Sequence, residues 1–84
     1  MSKVCLKYRG HLAALIGLPE ETVEAKDVEG ALRLIRECHG REAEKTARAM
    51  LIALNGESIL LLKRYKTAVN EGDVVSFFPL CAGG

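Results

Sequence analysis

The segment between Asp27 and Gly40 limits the fold of this chain more than any other part of the sequence. Its apolar residues recur at the spacing of an amphipathic helix with one buried face. They are Val28, Ala31, Leu32, Ile35 and Cys38. Asp27 can cap the first turn through its carboxylate, and Gly40 can end the helix. This is the only long helix that the sequence predicts, and one helix covers only one face of a sheet.

Short segments with strand character lie on both sides of this helix. They are Lys3–Tyr8, Thr22–Lys26, Met50–Leu54, Ser58–Leu62 and Val74–Phe78. The first alternates, so that Val4, Leu6 and Tyr8 share one buried face. Asn55-Gly56 is a strong hairpin signal between the third and fourth strands. Pro79 ends the fifth strand, because proline has no N–H to donate to a ladder.

The remaining segments connect these elements. Leu12–Ile16 has the apolar spacing of a short helical turn, which Gly17 can close. The segment from Arg41 to Arg48 is polar and could be either a loop or an extra helical turn. Lys63–Asn70 is predicted to be a polar connection that leads to a turn at Glu71-Gly72-Asp73.

The order strand–strand–helix–strand–strand–strand predicts an α+β fold. At 84 residues the chain is long enough for one domain. We expect the first and last strands to lie side by side in the centre of a mixed sheet of about four to five strands, with the main helix across one face. This is the β-grasp, or ubiquitin-like, architecture. Residues 1–79 are expected to form the domain and residues 80–84 an extended C-terminal tail.

Charge and composition argue against several classes of protein. Twelve Lys and Arg against eleven Asp and Glu leave a net charge of +1, whereas nucleic-acid binders carry clustered basic residues and stacking aromatics. No apolar run approaches the ~20 residues of a membrane span, and the N-terminus lacks a signal-peptide core. Cys5, Cys38 and Cys81 fit a reducing cytoplasm better than a disulfide framework. We therefore expect a cytoplasmic protein that binds neither nucleic acid nor membrane.

No constellation for catalysis or metal binding is evident. His11 and His39 have no partner at a useful spacing, and the neighbours Cys38 and His39 point about 100° apart on a helix, so they are poor joint metal ligands. A phosphate-binding loop is absent, and so small a domain does not readily enclose an active site. We expect no catalytic residue, no metal site and no bound cofactor.

The solvent side of the last strand is more apolar than a wet sheet face should be. If Val75 and Phe77 face the helix, then Val74, Ser76 and Phe78 point outward. Leu60 or Leu62 is expected to extend this face from the neighbouring strand. Either the segment 41–48 or the segment 63–70 covers it, or it is a site for a partner protein. We favour the partner site.

The chain ends in Gly83-Gly84, directly after a strand that proline terminates. Without Cβ atoms, these two residues could pass through a channel too narrow for other residues. From Leu80 an extended tail reaches about 17 Å, at ~3.3–3.6 Å per residue. The carboxylate of Gly84 would be unhindered toward attack on the α-phosphate of ATP. A disordered or artificial end is the plain alternative.

Several motifs together resemble the ubiquitin-like sulfur carriers of the MoaD/ThiS family. They are Leu54-Asn55-Gly56, the turn Glu71-Gly72-Asp73 and the closing Phe77-Phe78-Pro79-Leu80-Cys81-Ala82-Gly83-Gly84. The similarity is strongest to the small subunits of molybdopterin synthase. It runs through the C-terminal part of the chain without an apparent gap and is looser in the first half.

The resemblance implies a specific role for the tail. In such carriers the terminal glycine, here Gly84, is adenylated by a ubiquitin-activating-type enzyme that uses ATP, and is converted to a thiocarboxylate. In the molybdopterin case the tail enters the large synthase subunit and gives its sulfur to a pterin precursor. Gly83 belongs to the same motif, and Phe78 matches a position that packs against partner proteins.

The chain departs from the family pattern at two places. Leu80-Cys81 stands where a proline and a small apolar residue are usual. Ala13-Ala14 stands where many members have a basic residue, a role that Arg9 or His11 could take. Cys81 could capture the activated tail or form an acyl disulfide, but we expect it to act as a small apolar residue.

Four functions therefore remain open. The leading hypothesis is the small subunit of molybdopterin synthase. The same tail chemistry would serve a carrier for thiamine, cysteine or tRNA thiolation. A protein modifier would instead link Gly84 to a lysine, and a plain β-grasp interaction module would leave the tail inert.

Overall fold

Alternating burial gives the N-terminal hairpin its two faces. The computed structural model describes residues 1–80. Strand β1 (Ser2–Lys7) pairs antiparallel with β2 (Glu20–Ala25), and helix α1 (Gly10–Ile16) lies between them in the chain. Val4 and Leu6 are buried on the inner face of β1, and Tyr8 is buried just beyond its end, as predicted. Gly17 ends α1 in the left-handed conformation.

The main helix, α2 (Val28–His39), begins and ends where the sequence indicates. The Oδ1 atom of Asp27 accepts a hydrogen bond from the backbone N–H of Gly30 at 2.7 Å. At the other end Gly40 has a φ of 98°, which glycine tolerates best. The ambiguous segment after it is a second helix, α3 (Arg41–Arg48). Its Ala43 and Ala47, four residues apart, are buried in the core, which explains why so polar a segment is helical.

The sheet has five strands in the order β2-β1-β5-β3-β4, where β3 is Leu51–Leu54, β4 is Glu57–Ser58 and β5 is Val74–Phe78. Strands β1 and β5 are parallel and lie next to each other, and the other pairs are antiparallel. The predicted central pairing and the β-grasp architecture are therefore confirmed.

The Asn55-Gly56 hairpin is also confirmed, since both residues have positive φ, at 51° and 89°. The side chain of Asn55 ties this hairpin to β5. Its Oδ1 accepts from the N–H of Val74 at 2.9 Å, and its Nδ2 donates to Asp73 at 3.0 Å.

The prediction of a strand over Ser58–Leu62 is wrong. Only Glu57 and Ser58 pair with β3, and Ile59–Leu61 forms a short 3₁₀ helix. The Oγ atom of Ser58 accepts from the N–H of Leu60 at 3.2 Å and so starts the turn. Since β4 is an edge strand, turning away from the sheet lets Ile59 enter the core, where it is 3% exposed. A second 3₁₀ helix, Arg64–Lys66, lies in the predicted polar connection.

One hydrophobic core lies between the sheet and the helices. The largest side chains that are fully buried in it are Phe77, Leu6, Leu12, Leu32, Ile35, Val4, Val28 and Val75. Val75 and Phe77 come from the central strand β5, which confirms the predicted inward face of that strand. None of the helices within residues 1–80 has the length and apolar character needed to cross a membrane.

Candidate functional site

The last strand ends at Phe78, two residues before the end of the described chain, and the loop before α1 packs against this end. The guanidinium carbon of Arg9 lies 4.9 Å from the ring centroid of Phe78, a cation–π arrangement. Gly10 lies against Pro79 so closely that a Cβ at residue 10 would come within 3.0 Å of the proline Cγ. We call Phe78, Pro79 and Leu80 the tail root.

The outward face of β5 is partly exposed. Val74, Ser76 and Phe78 are all half-buried, in alternation with the fully buried Val75 and Phe77. Register extends this face onto β3, where Leu51 is opposite Phe78 and Ala53 is opposite Ser76. The sequence did not single out Leu51, because its place beside Phe78 depends on strand pairing.

The two candidate covering segments pack in the helical layer and beside α2, and their Arg48, Arg64 and Tyr65 line the same cavity as Leu51. The segment 41–48 is α3, which packs in the helical layer through Ala43 and Ala47. The segment 63–70 runs past the start of α2, where the carbonyl of Thr67 accepts from Val28 and the N–H of Val69 donates to Lys26. Within residues 1–80, Val74, Ser76 and Phe78 are only half-buried, so part of the outward face of β5 is exposed.

The two leucines proposed to extend this face lie in different places. Leu60 is 62% exposed and lines a cavity of about 360 Å³ beside the tail root. The other residues that line this cavity are Arg48, Met50, Leu51, Ile52, Ile59, Arg64, Tyr65 and Leu80. Leu62 lies instead in a separate depression with Leu61, Lys63, Thr67 and Ala68. The structure thus brings Leu60, but not Leu62, to the tail root.

A polar cluster on the helical side was not foreseen. The Oε2 atom of Glu21 accepts from the hydroxyl of Tyr8 at 2.5 Å and lies 2.6 Å from Nε2 of His39. The prediction that neither histidine has a partner is therefore wrong for His39. Burial, together with the hydrogen bond to Glu21, raises the pKa of Tyr8. The cluster joins the end of β1 to β2 and to the end of α2, a structural role.

Part of the predicted site lies outside the described residues. Gly83, Gly84 and Cys81 belong to this part, so their roles stay predictions, as does the division of the chain at residue 79. Among residues 1–80, no three His, Cys, Asp or Glu side chains come together as metal ligands would.

Comparison with protein families gives one match. The model of the ThiS family matches residues 6–84, which is nearly the whole chain and includes the Gly83-Gly84 end. No curated protein sequence matches the chain.

Solved structures share the fold at low sequence identity. Small archaeal modifier protein 1 from Methanosarcina acetivorans superposes with a TM-score of 0.87 at 20% identity, over 100% of this chain and 98% of that one. A chain from the complex of subunits 1 and 2 of molybdopterin-converting factor from Helicobacter pylori 26695 gives 0.68 at 23% identity, over 98% and 99%. Urm1 from Trypanosoma brucei gives 0.74 at 16% identity, over 99% and 96%.

Proposed function

This chain belongs to the ThiS family, and from that membership we propose that it is a sulfur carrier whose reacting group is the carboxylate of Gly84. The observation that carries the proposal is the family match, which extends through Gly83-Gly84. The chain would act with other proteins as a carrier subunit and would supply no catalytic residue of its own.

The geometry of the tail root supports a carrier. Central strand β5 ends at Phe78, where Arg9 and Gly10 hold the root against the body of the domain. The partly exposed face of β5 carries Val74 and Phe78, Leu51 lies opposite Phe78 on β3, and Leu60 lines the adjacent cavity. A partner that docks on this surface would meet the tail where it begins, so docking and tail insertion can occur together.

The proposed chemistry takes two displacements on an activating enzyme. A carboxylate oxygen of Gly84 attacks the α-phosphorus of ATP and pyrophosphate leaves, which gives an acyl adenylate. A hydrosulfide-level sulfur nucleophile then attacks the acyl carbon and AMP leaves, which gives the thiocarboxylate. ATP is bound and used by the activating enzyme of the ubiquitin-activating type, and the carrier binds no cofactor.

The mass of the C-terminal peptide tests this chemistry. The chain is incubated with an adenylating enzyme of this type from the same genome, ATP and a sulfur source, beside a chain that lacks Gly84. We expect one oxygen of Gly84 to be replaced by sulfur. Since oxidation of methionine or cysteine adds nearly the same nominal mass, the exchange is localised to Gly84 at high mass accuracy.

The control chain without Gly84 should stay unmodified. An unmodified Gly84 with several competent activating enzymes would rule out the carrier function and leave a β-grasp interaction module with an inert tail.

For the sulfur acceptor we propose the large catalytic subunit of molybdopterin synthase, in the biosynthesis of the molybdenum or tungsten cofactor. The C-terminal motifs resemble the small subunit of that enzyme, and the fold recurs in the complex of subunits 1 and 2 of molybdopterin-converting factor. Sulfur transfer from the thiocarboxylate to a pterin precursor in the presence of the large subunit would support this role. Transfer only to enzymes of thiamine, cysteine or tRNA thiolation would reassign the acceptor.

A second candidate is a ubiquitin-like modifier, in which Gly84 forms an isopeptide bond with a lysine. The motivation is that the fold recurs in a protein named as a modifier, small archaeal modifier protein 1 from Methanosarcina acetivorans. Conjugates that carry Gly84 on lysine side chains, detected by peptide mass spectrometry of cells, would support this function, whereas their absence beside abundant thiocarboxylate would exclude it.

A further inference from the structure

Two depressions in the surface meet at Leu80, the last residue of the tail root. Arg48 and Arg64 contribute cationic groups to the cavity that Leu60 lines. A shallower depression on the other side is lined by Arg41, Glu42, Lys45, Thr46, Ala49, Met50 and Leu80. The tail root is therefore flanked by basic residues on both sides.

Three of these cations carry charge that the domain itself does not neutralise. Arg41, Lys45 and Arg64 are exposed, and none of them forms an ion pair among residues 1–80. We call these three residues the basic rim. Arg48 differs, because its guanidinium binds Glu29 at 2.9 Å and Glu44 at 3.0 Å.

The two depressions hold an excess of positive charge that the chain as a whole lacks. The chain as a whole carries only +1, yet the basic rim adds three cations against the single carboxylate of Glu42 in the same two depressions. On β2, by contrast, the carboxylates of Glu20 and Glu24 have Lys7 and Lys3 opposite them on β1. A surface like that of the two depressions attracts acidic groups and orients an approaching partner.

We propose that the basic rim docks an acidic segment of the activating enzyme, and that this segment places an apolar side chain in the cavity beside Leu60. The proposal rests on the proposed function, because the activating enzyme would act on Gly84, which follows Leu80 by four residues. The apolar floor of the cavity, with Met50, Leu51 and Ile59, accounts for the apolar side chain. The cations of the basic rim account for the carboxylates that we propose on either side of this apolar side chain.

Charge reversal on the rim tests the proposal. The test variant is Lys45→Glu with Arg64→Glu, and the control is Lys26→Glu with Lys66→Glu. Both pairs are exposed and change the net charge equally, and the control residues line neither depression at Leu80. Adenylation of each chain by the activating enzyme from the same genome is followed by pyrophosphate release at two salt concentrations.

We expect the rim variant to raise KM for the carrier about 10-fold or more at low salt, with kcat unchanged, because rim charges mainly govern association. The KM of the unaltered chain should rise with salt, and that of the rim variant should rise less. Circular dichroism verifies that both variants fold.

Equal KM values for the two variants would overturn the proposal while leaving the carrier chemistry intact. Failure of every chain to be adenylated would count against the proposed function instead. In that case the affinity of the enzyme for each fluorescently labelled carrier is measured without ATP. Equal affinities of the two variants, or no binding at all, would also overturn the proposal. A rise in KM that accompanies the loss of a carrier dimer in sedimentation would assign the rim to a second copy, against the proposal.

Discussion

At the scale of single residues, the tail root depends on a glycine whose importance comes from a tertiary contact. Gly10 has a φ of 59° and lies against Pro79. Both the left-handed backbone and the close approach disfavour a side chain at this position. Gly17 shares the positive φ, at 85°, but nothing lies within 4 Å of where its Cβ would be.

This difference predicts that Gly10→Ala destabilises the domain more than Gly17→Ala. Each substitution should cost about 1–2 kcal/mol because alanine disfavours a left-handed backbone. Gly10→Ala should cost roughly 1 kcal/mol more, because the new methyl group crowds Pro79. Free energies of unfolding from denaturant titration measure both. Equal losses would mean that Pro79 moves aside freely and that the contact does not hold the tail root.

At the scale of elements, an ion-pair network joins α2 to α3. Arg48 of α3 donates two parallel hydrogen bonds to the carboxylate of Glu29 on α2, each at 2.9 Å, and also binds Glu44 within its own helix. Its guanidinium lies 5.0 Å from the ring centroid of Tyr65. The hydrogen bonds from Arg48 lower the pKa of Glu29.

The lowered pKa of Glu29 predicts a pH-dependent contribution to stability. The unfolded chain takes up this proton more readily than the folded one, so the contribution is full above the unfolded pKa of about 4.3 and is lost as pH falls through the folded pKa. Glu29→Gln should lower the free energy of unfolding by about 0.5–1 kcal/mol at neutral pH, since the pair is partly exposed. The loss should shrink toward zero in acid.

Chemical denaturation across an acid-to-neutral pH series measures this effect. Glu37→Gln is the matched control, because Glu37 is exposed on the same helix and forms no ion pair among residues 1–80. If Glu29→Gln lowered the free energy of unfolding by the same amount at every pH, then packing, and not the charge of Glu29, would stabilise the contact between the two helices.

At the scale of the whole molecule, the fold separates the buried core from a group of exposed apolar residues near the tail root. The buried residues lie between the sheet and the helices, whereas Leu51, Leu60 and Leu80 are exposed around the tail root. Leu61 is also exposed, at 76%, but lies in a different depression. Leu60 can therefore be substituted to test the surface at the tail root, and Leu61, its neighbour in the same 3₁₀ helix, is the control.

We predict that Leu60→Ser weakens binding to the activating enzyme and that Leu61→Ser does not. Both should change the free energy of unfolding by less than about 0.5 kcal/mol, because both side chains are already largely in water. Titration calorimetry with the enzyme should give at least about a 5-fold higher Kd for Leu60→Ser, from the loss of roughly 1 kcal/mol of apolar burial. Equal Kd values for the two variants would remove Leu60 from the partner surface.

Much of the fold followed from local patterns in the sequence. The amphipathic helix α2 with its Asp27 cap, the buried face of β1 and the Asn55-Gly56 hairpin each depend on residues close together in the chain. Their order, with one long helix among strands, was sufficient to predict the β-grasp architecture. The family resemblance, confirmed by the ThiS match, came from C-terminal motifs that are likewise contiguous.

Tertiary structure alone decided the rest, because those features join residues that are distant in sequence. Tyr8 and Glu21 are 13 residues apart, and Glu21 and His39 are 18 apart, so no local period reports their contact. Whether Ile59 continues a strand or turns inward depends on a core that other elements build. The surroundings of the tail root depend in the same way on three segments meeting around Leu80, since burial and charge at a surface are set by neighbours in space and not by neighbours in sequence.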